Sequence, residues 1–340
     1  LVIEAAIMEG NGEDRANDKA AAQGARAAGF ASPFDQPQWF DLLAAHGFAG
    51  ECRHDALGSA ANSVAVLPLR RDKPGHYAGL TCWYSFAIRP LYSGPGDRAA
   101  ALRDLFVRLR AQAATLTLYP VPDAEQAGIV AAMRAAGWWV RASRAGDRHW
   151  LDLSELDHDG WWATRPGALR STVQRKAKKG VVDIQLLDRF DPGSWVAYEA
   201  VYAASWKPEE GHPALLRAFA EAESARGTFR MGLARIDGAP VAAQFWTVED
   251  GTAFIHKLAH VEDSQKASPG TLLSAALFRH AIEIDRVCRI DFGTGNDAYK
   301  RDWMNRHEPL WRIEAFNRAR IAAWGPAIRA FARTLLGKEA

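Results

Sequence analysis

Gln265-Lys266-Ala267-Ser268-Pro269-Gly270-Thr271-Leu272-Leu273 leads into a helical stretch. Ile290-Asp291-Phe292-Gly293-Thr294-Gly295-Asn296-Asp297-Ala298-Tyr299-Lys300-Arg301-Asp302-Trp303 follows it. A short basic turn opens a helix, the helix feeds a strand, and a polar glycine-rich loop ends in Tyr-Lys. A helix N-terminus presents unpaired N–H groups and the positive end of its dipole, so the turn suits a phosphate. The loop beyond the strand can deliver side chains to whatever the phosphate-bearing ligand carries. The layout suits group transfer from a nucleotide-linked donor.

Upstream, residues 252–259 alternate as a strand. Residues 229–236 and 241–248 read as a hairpin closed at Asp237-Gly238, a strong turn signal. Before them come helices over 194–205 and 213–225, a strand over 181–187 and a basic helix over 161–179. Downstream, 310–316 reads as a strand. Residues 318–338 read as a basic amphipathic helix with Ile321, Trp324, Ile328, Phe331 and Leu335 on its apolar face. The first half shows the same alternation: a helix around 38–46, strands at 64–69, 116–119, 138–142 and 149–153, extended chain at 80–88, and helices over 97–113 and 123–136. The expected class is α/β. Expected boundaries are a mobile leader over 1–30, a first domain over 31–153, a second over 154–316 and the terminal helix over 317–340.

Bulk properties narrow the function. The 340 residues are 48% hydrophobic and 24% charged, the composition of a globular protein with room for two domains. A net charge of +2 provides no global field for nucleic acid, so basic contacts must be local. Cys52, Cys82 and Cys288 show no metal-ligand spacing and read as buried thiols in a reducing cytoplasm. No apolar run approaches the ~20 residues of a membrane span, and Leu1 to Met8 lacks the basic flank of a signal peptide. Most of the thirteen tryptophans are expected in core packing.

The order of pieces resembles the acetyltransferase domain of the GNAT superfamily. More narrowly it resembles cellulose-biosynthesis-associated acetyltransferases and, at greater distance, the Fem-type aminoacyltransferases. Ser205-Trp206-Lys207, the hairpin 238–246, Ser268-Pro269-Gly270-Thr271-Leu272-Leu273, and Asp291-Phe292-Gly293 running to Tyr299-Lys300 carry the resemblance over residues 161–316. Ser32-Pro33-Phe34 with Trp39, and Tyr84-Ser85-Phe86, carry it more loosely in the first half. It implies two tandem GNAT-like domains, each a mixed twisted sheet flanked by helices. It also implies an acyl-coenzyme A donor, and an amine or hydroxyl acceptor held between the domains.

Under that resemblance Lys266, Ser268, Gly270 and Thr271 bind the donor pyrophosphate, with Gly270 allowing close backbone approach. The turn departs from the usual superfamily loop in having one glycine and a proline. Asp297 is the candidate base or acceptor-orienting group. Tyr299 protonates the leaving thiolate or donates to the oxyanion, and Lys300 matches the lysine that stabilises the carbonyl oxygen in Fem-type enzymes. His256-Lys257 lies in the strand before the turn, where alternation turns one of the two inward, and His256 is a second candidate base. Trp206 and Lys207 fall on the acceptor side. Gln244, between small residues on the hairpin strand, is either a core bridge or a substrate contact.

The run Arg165, Arg170, Arg175, Lys176, Lys178, Lys179 reads as one solvated helix face. Its functional alternatives are an acidic acceptor, an anionic membrane surface or tRNA phosphates, and near-neutral total charge counts against tRNA. The histidines show no HxxxH or HExxH spacing, so no metal is expected. The expected acceptor is a small molecule, lipid or glycan, and the expected location is cytoplasmic with peripheral contact at the inner face of an anionic membrane. A Fem-like aminoacyl-tRNA transferase and a non-catalytic acyl-CoA-binding scaffold remain open as rivals.

Overall fold

The computed structural model describes residues 32–48, 53–295 and 297–335, with side chains given as far as Arg333. The leader expected over 1–30, Cys52 and Asn296 lie outside the described residues. The first elements are α1 (Pro37–Leu42), continued as a π-helical turn over Leu43–Gly47, then strands β1 (Arg53–Ala60), β2 (Ser63–Lys73), β3 (His76–Gly79) and β4 (Leu91–Ser93). Helix α2 (Arg98–Leu109), strand β5 (Thr115–Pro122), helix α3 (Asp123–Ala135) and strand β6 (Trp138–Asp152) follow. The strands expected at 138–142 and 149–153 are therefore one. Strands β1, β3 and β4 were not anticipated.

Helices α4 (His158–Ala163) and α5 (Gly167–Ala177) replace the single helix expected over 161–179. Pro166 breaks it, since proline offers no N–H and its ring clashes with the preceding turn. Then come β7 (Asp183–Leu187), α6 (Pro192–Ala203), α7 (Pro213–Ala225), β8 (Phe229–Ile236), β9 (Ala239–Glu249), β10 (Thr252–His260), a 3₁₀ turn Glu262–Ala267, and α8 (Pro269–Glu283). Strand β11 (Arg289–Thr294), helix α9 (Ala298–Trp303), strand β12 (Arg306–Asn317) and helix α10 (Trp324–Leu335) complete the chain. The β8–β9 turn is built as the sequence demands. Asp237 and Gly238 both take positive φ, 49° and 79°, the geometry that Asp-Gly tolerates best.

The chain divides into two compact units: one ends at Gly146 and resumes at Glu308, the other is Asp147–His307. In the first, strand order is β1-β2-β3-β5-β12-β6, with β4 also paired to β2. In the second it is β6-β11-β10-β9-β8-β7. In each unit the described strands include a parallel pair, β3 with β5 and β10 with β11, and each pair is bridged by a crossover helix, α2 and α8. This mixed-sheet order, repeated once, is the tandem α/β architecture.

In the first unit α2 packs Leu102, Leu105, Phe106 and Leu109 on the sheet. Two pieces noted as loosely matching meet there: the Phe34 ring lies 5.2 Å from Trp39 and 4.7 Å from Phe86. Arg89 Nε donates to Asp35 at 3.0 Å and fixes that corner. In the second unit Phe278 of α8 stacks on Trp161 at 5.1 Å, meets Trp246 edge-on at 5.3 Å and lies 4.8 Å from Trp303. Burying a side chain of this size contributes roughly 3 kcal/mol or less from area alone. The opposite sheet face takes α6 and α7, with Trp195, Phe219 and Phe229 each in ring contact with Phe245.

Candidate active site

Helix α8 begins at Pro269, whose missing N–H is lost where none could be paired. Ser268 ahead of it is left-handed (φ 57°) and its side chain makes no cap bond; its amide closes the 3₁₀ turn on Gln265 O at 2.9 Å. By helix geometry the first N–H groups of α8, those of Gly270 and Thr271, point along the axis. A Cβ on Gly270 would lie 3.3 Å from His260 Nδ1, so glycine is what lets the β10 end and the α8 start approach. His260 lies 4.3 Å from the Trp206 ring. Lys266 is exposed at the turn, and its carbonyl accepts from Lys176 Nζ, which brings the basic end of α5 to the same place.

Beneath the turn sits Gln244, 1% exposed. Its Oε1 accepts from Trp246 Nε1 at 3.0 Å, and its Nε2 donates to Ser274 Oγ at 2.7 Å and Gly270 O at 3.4 Å. All its polar capacity faces protein. Of the two roles weighed for Gln244, the geometry is that of a bridge supporting the α8 start, not a substrate contact.

The β10–β11 pairing covers only Thr252–Phe254 against Arg289–Asp291. Beyond Phe254 the described strands are no longer paired, which opens a gap beside the α8 start. On its other edge β10 carries a bulge: Ile255 pairs Trp246 and Lys257 pairs Phe245. An inserted residue breaks strict alternation. The expectation that alternation turns one of His256 and Lys257 inward is thereby corrected, because both face the α6–α7 side. His256 sits 5.1 Å from Phe219 and 5.0 Å from Phe245, and shares a 2.8 Å hydrogen bond with Thr247 Oγ1. Burial, then the neighbouring Lys257, pushes its pKa down to about 3. A ring held neutral among phenylalanines and already bonded is poorly placed as a base, which counts against that role for His256.

Lys257 is buried. Its Nζ donates to Glu210 Oε1 at 2.7 Å and lies 5.1 Å from the Tyr202 ring centre. Glu210 also accepts from Tyr198 Oη at 3.0 Å. Burial, with Glu210 adding, pushes the Tyr202 phenol up to about 12. This pair was missed in sequence, where no short-range pattern links residues 47 positions apart. A cavity of about 580 Å³ adjoins it, lined by Trp195, Tyr198, Tyr202, Lys207, Glu209 and Glu210 among others.

Lys207 lines that cavity, with Nζ 5.9 Å from the Trp206 ring centre. Burial first, then the Lys257 ammonium, lowers its pKa to about 8; Asp297 opposes and Lys300 adds to the fall. Lys207 therefore stands where the cavity meets the loop after β11. From α9, Lys300, 4% exposed, donates back to Thr294 O at 2.5 Å and Phe292 O at 3.3 Å, with Asp297 Oδ2 at 3.8 Å. Burial lowers its pKa, against Asp297 and Asp291. Tyr299 is half-exposed against Phe292, and desolvation, then Asp297, raises its phenol pKa. Asp297 is an exposed carboxylate at the start of α9. Asp291 is fully buried, accepts from Gly293 N at 2.9 Å and pairs with Arg148.

The structure brings together Trp206, Lys207, Asp297 and Lys300 on one side, and Lys266, Ser268, Gly270 and Thr271 on the other, with His260 between Trp206 and Gly270. Arg165 leaves the basic face it was grouped with. It is 9% exposed, and Nη1 donates to Met304 O at 3.0 Å. Arg170, Arg175 and Lys176 sit on α5, which buries none of its residues, and Lys178 and Lys179 lie just past its end. Cys288 is exposed and not buried as expected, and Cys82 is half-buried. Among the described residues no group of His, Cys, Asp or Glu could hold a metal ion, and no helix is long and apolar enough to cross a membrane.

Residues 163–301, which lie within the second unit, match the family model described as an acetyltransferase (GNAT) domain. Three solved structures share the fold. FemX has a TM-score of 0.63 at 10% identity, covering 89% of this chain and 96% of its own. The C-terminal domain of a putative lysylphosphatidylglycerol synthetase from Agrobacterium fabrum has 0.57 at 16%, covering 94% and 96%. L-PGS from Bacillus licheniformis has 0.53 at 12%, covering 89% and 97%. No curated protein matches the chain.

Proposed function

We propose that this protein is an acyltransferase that takes an acyl group from acyl-coenzyme A and passes it to an amine or hydroxyl acceptor. The observation that carries this reading is the β10–β11 gap opening beside the α8 start. Gly270 and Thr271 amides, with Lys266 and Lys176 at the rim, hold the pyrophosphate, and the arm of the donor lies in the gap. The donor supplies an activated thioester carbonyl. The single-glycine, proline-bearing lead into α8 favours the cellulose-biosynthesis-associated branch.

The acceptor enters the cavity lined by Tyr198, Tyr202 and Lys207. Lys207 takes its proton, since an amine with a pKa near 8 is partly neutral at neutral pH. Tyr299, held protonated, donates its proton to the leaving thiolate and regains one from solvent, while the Lys207 ammonium releases the acceptor's proton to solvent. Lys300 holds the loop that carries Tyr299 and Asp297. A lipid acceptor fits a fold shared with a lysylphosphatidylglycerol synthetase domain; glycan and small-molecule acceptors fit the cavity equally.

A second reading, transfer from aminoacyl-tRNA, has one observation in its favour. The basic helix α5, none of whose residues is fully buried, reaches the phosphate turn through Lys176, and a longer polyanion would use it. Calorimetric titration with acetyl-CoA, long-chain acyl-CoA and aminoacyl-tRNA decides between them. Acyl-CoA saturation with no tRNA binding supports the first. Tight, salt-sensitive tRNA binding with no acyl-CoA heat overturns it.

A further inference from the structure

Helix α10 docks on its own unit by its small residues. Ala323, Ala327 and Ala330 are buried against Ala114 and Phe316. Three large apolar residues of this segment point elsewhere: Ile321 is 84% exposed, Ile328 69% and Trp324 49%, while the Phe331 ring lies 6.1 Å from Phe316. Amphipathic helices on globular domains ordinarily do the reverse, turning their bulky stripe to the core. The entry to the helix is fixed. Asn317 Nδ2 donates to Arg110 O and Ala113 O, Arg318 Nε to Gly137 O at 3.0 Å, and Trp324 Nε1 to Arg318 O at 3.1 Å. The exposed stripe is thus held outward by anchored chain.

Its chemistry selects an occupant. Residues 318–335 contain Arg318, Arg320, Arg329 and Arg333 and no acidic residue. We propose that this face rests on an anionic lipid surface, with Ile321, Trp324 and Ile328 entering the headgroup–acyl boundary and the exposed Arg329 beside them meeting lipid phosphate. A second copy is disfavoured, because a symmetric contact would set two basic segments together; Glu314 lies 3.6 Å from Arg333, but the segment itself carries no carboxylate. The proposal does not depend on the transfer reading.

The test uses the full chain and cosedimentation with phosphatidylcholine vesicles, with and without phosphatidylglycerol, at low and high salt. Expected is binding to the anionic vesicles only, lost at high salt. Ile321→Asp with Ile328→Asp should lower the bound fraction about tenfold or more, and Arg329→Glu should weaken binding and its salt dependence. All three positions are solvent-facing, so an unchanged thermal midpoint establishes that the variants are folded. No binding to anionic vesicles at low salt overturns the proposal, as does equal binding to neutral vesicles or indifference to the Ile substitutions. A dimer in sedimentation velocity that Ile328→Asp converts to monomer, without vesicle binding, assigns the face to a second copy instead.

Discussion

Lys257 Nζ lies 2.7 Å from Glu210 Oε1, and the two side chains are only 6% and 14% exposed. The pair ties the strand just past the β10 bulge to the connection that carries Trp206 and Lys207. It also sets a positive charge beside Lys207, the second cause of that amine's lowered pKa. One ion pair thus links the packing of the α6–α7 layer to the chemistry of the cavity rim.

Removing one partner leaves the other charge buried. Lys257→Met should therefore destabilise the protein by about 3 kcal/mol, while Lys257→Met with Glu210→Gln should recover much of that loss. Urea unfolding of both variants checks it. If the double variant is as unstable as the single one, the pair is not the source of the stability.

Lys207 predicts a pH dependence of a definite sign. Its folded pKa, about 8, lies below the ordinary 10.5. Below about pH 8 both folded and unfolded chains are protonated there, and the fold bears the full cost of the buried charge. Between about 8 and 10.5 the folded protein releases a proton that the unfolded chain keeps, so this residue's contribution to stability rises with pH. The transfer rate should rise through an apparent pKa near 8 for the same reason. Lys207→Arg, which stays charged, should remove that limb and lower the rate roughly 10²-fold. A limb that survives in the Arg variant assigns the proton to another group.

At Gly270 the prediction concerns binding. A Cβ at that position presses on the His260 ring from 3.3 Å, tight enough that the ring must give. Gly270→Val should weaken acyl-CoA binding about tenfold or more, as about 1.4 kcal/mol of lost contact does, with little change in thermal midpoint. Isothermal titration and a melt measured together separate the two. Unchanged affinity would remove the α8 start from the donor site.

Much of the second unit was legible because its signals are local. Asp237-Gly238 dictates a hairpin by its own φ angles, and Ser268-Pro269-Gly270 marks a helix start through what proline lacks and glycine permits. What escaped was set by contacts distant in sequence. A bulge leaves no local mark in Ile255-His256-Lys257, yet it turns both polar side chains to one face. The Lys257–Glu210 pair spans 47 residues. Arg165 looks like its basic neighbours until Met304 O and Asp302 O are seen to receive it. Pro166 is a local break signal inside the basic run, and it divides that run into two helices. For α10, periodicity gave the helix and its apolar stripe but not which side would dock, since alanines pack closely enough to win the contact.

Tyr299 and Lys300 are adjacent but should fail differently. Tyr299 is partly exposed and touches Phe292 only by ring edge, so Tyr299→Phe removes a hydroxyl without disturbing the loop. If that hydroxyl returns the proton to the leaving thiolate, the rate should fall about 10²-fold with donor affinity and stability unchanged. Lys300 instead holds Phe292 O and Thr294 O from a buried position. Lys300→Met should leave those carbonyls short of a donor, cost about 1–3 kcal/mol, and lower rate and donor affinity together as the loop loosens. Single-turnover rates, donor titration and urea unfolding on both variants distinguish a proton donor from a loop support. Should Lys300→Met lose rate alone, with affinity and stability intact, its ammonium acts directly on the reacting carbonyl and the division of labour between the two residues must be redrawn.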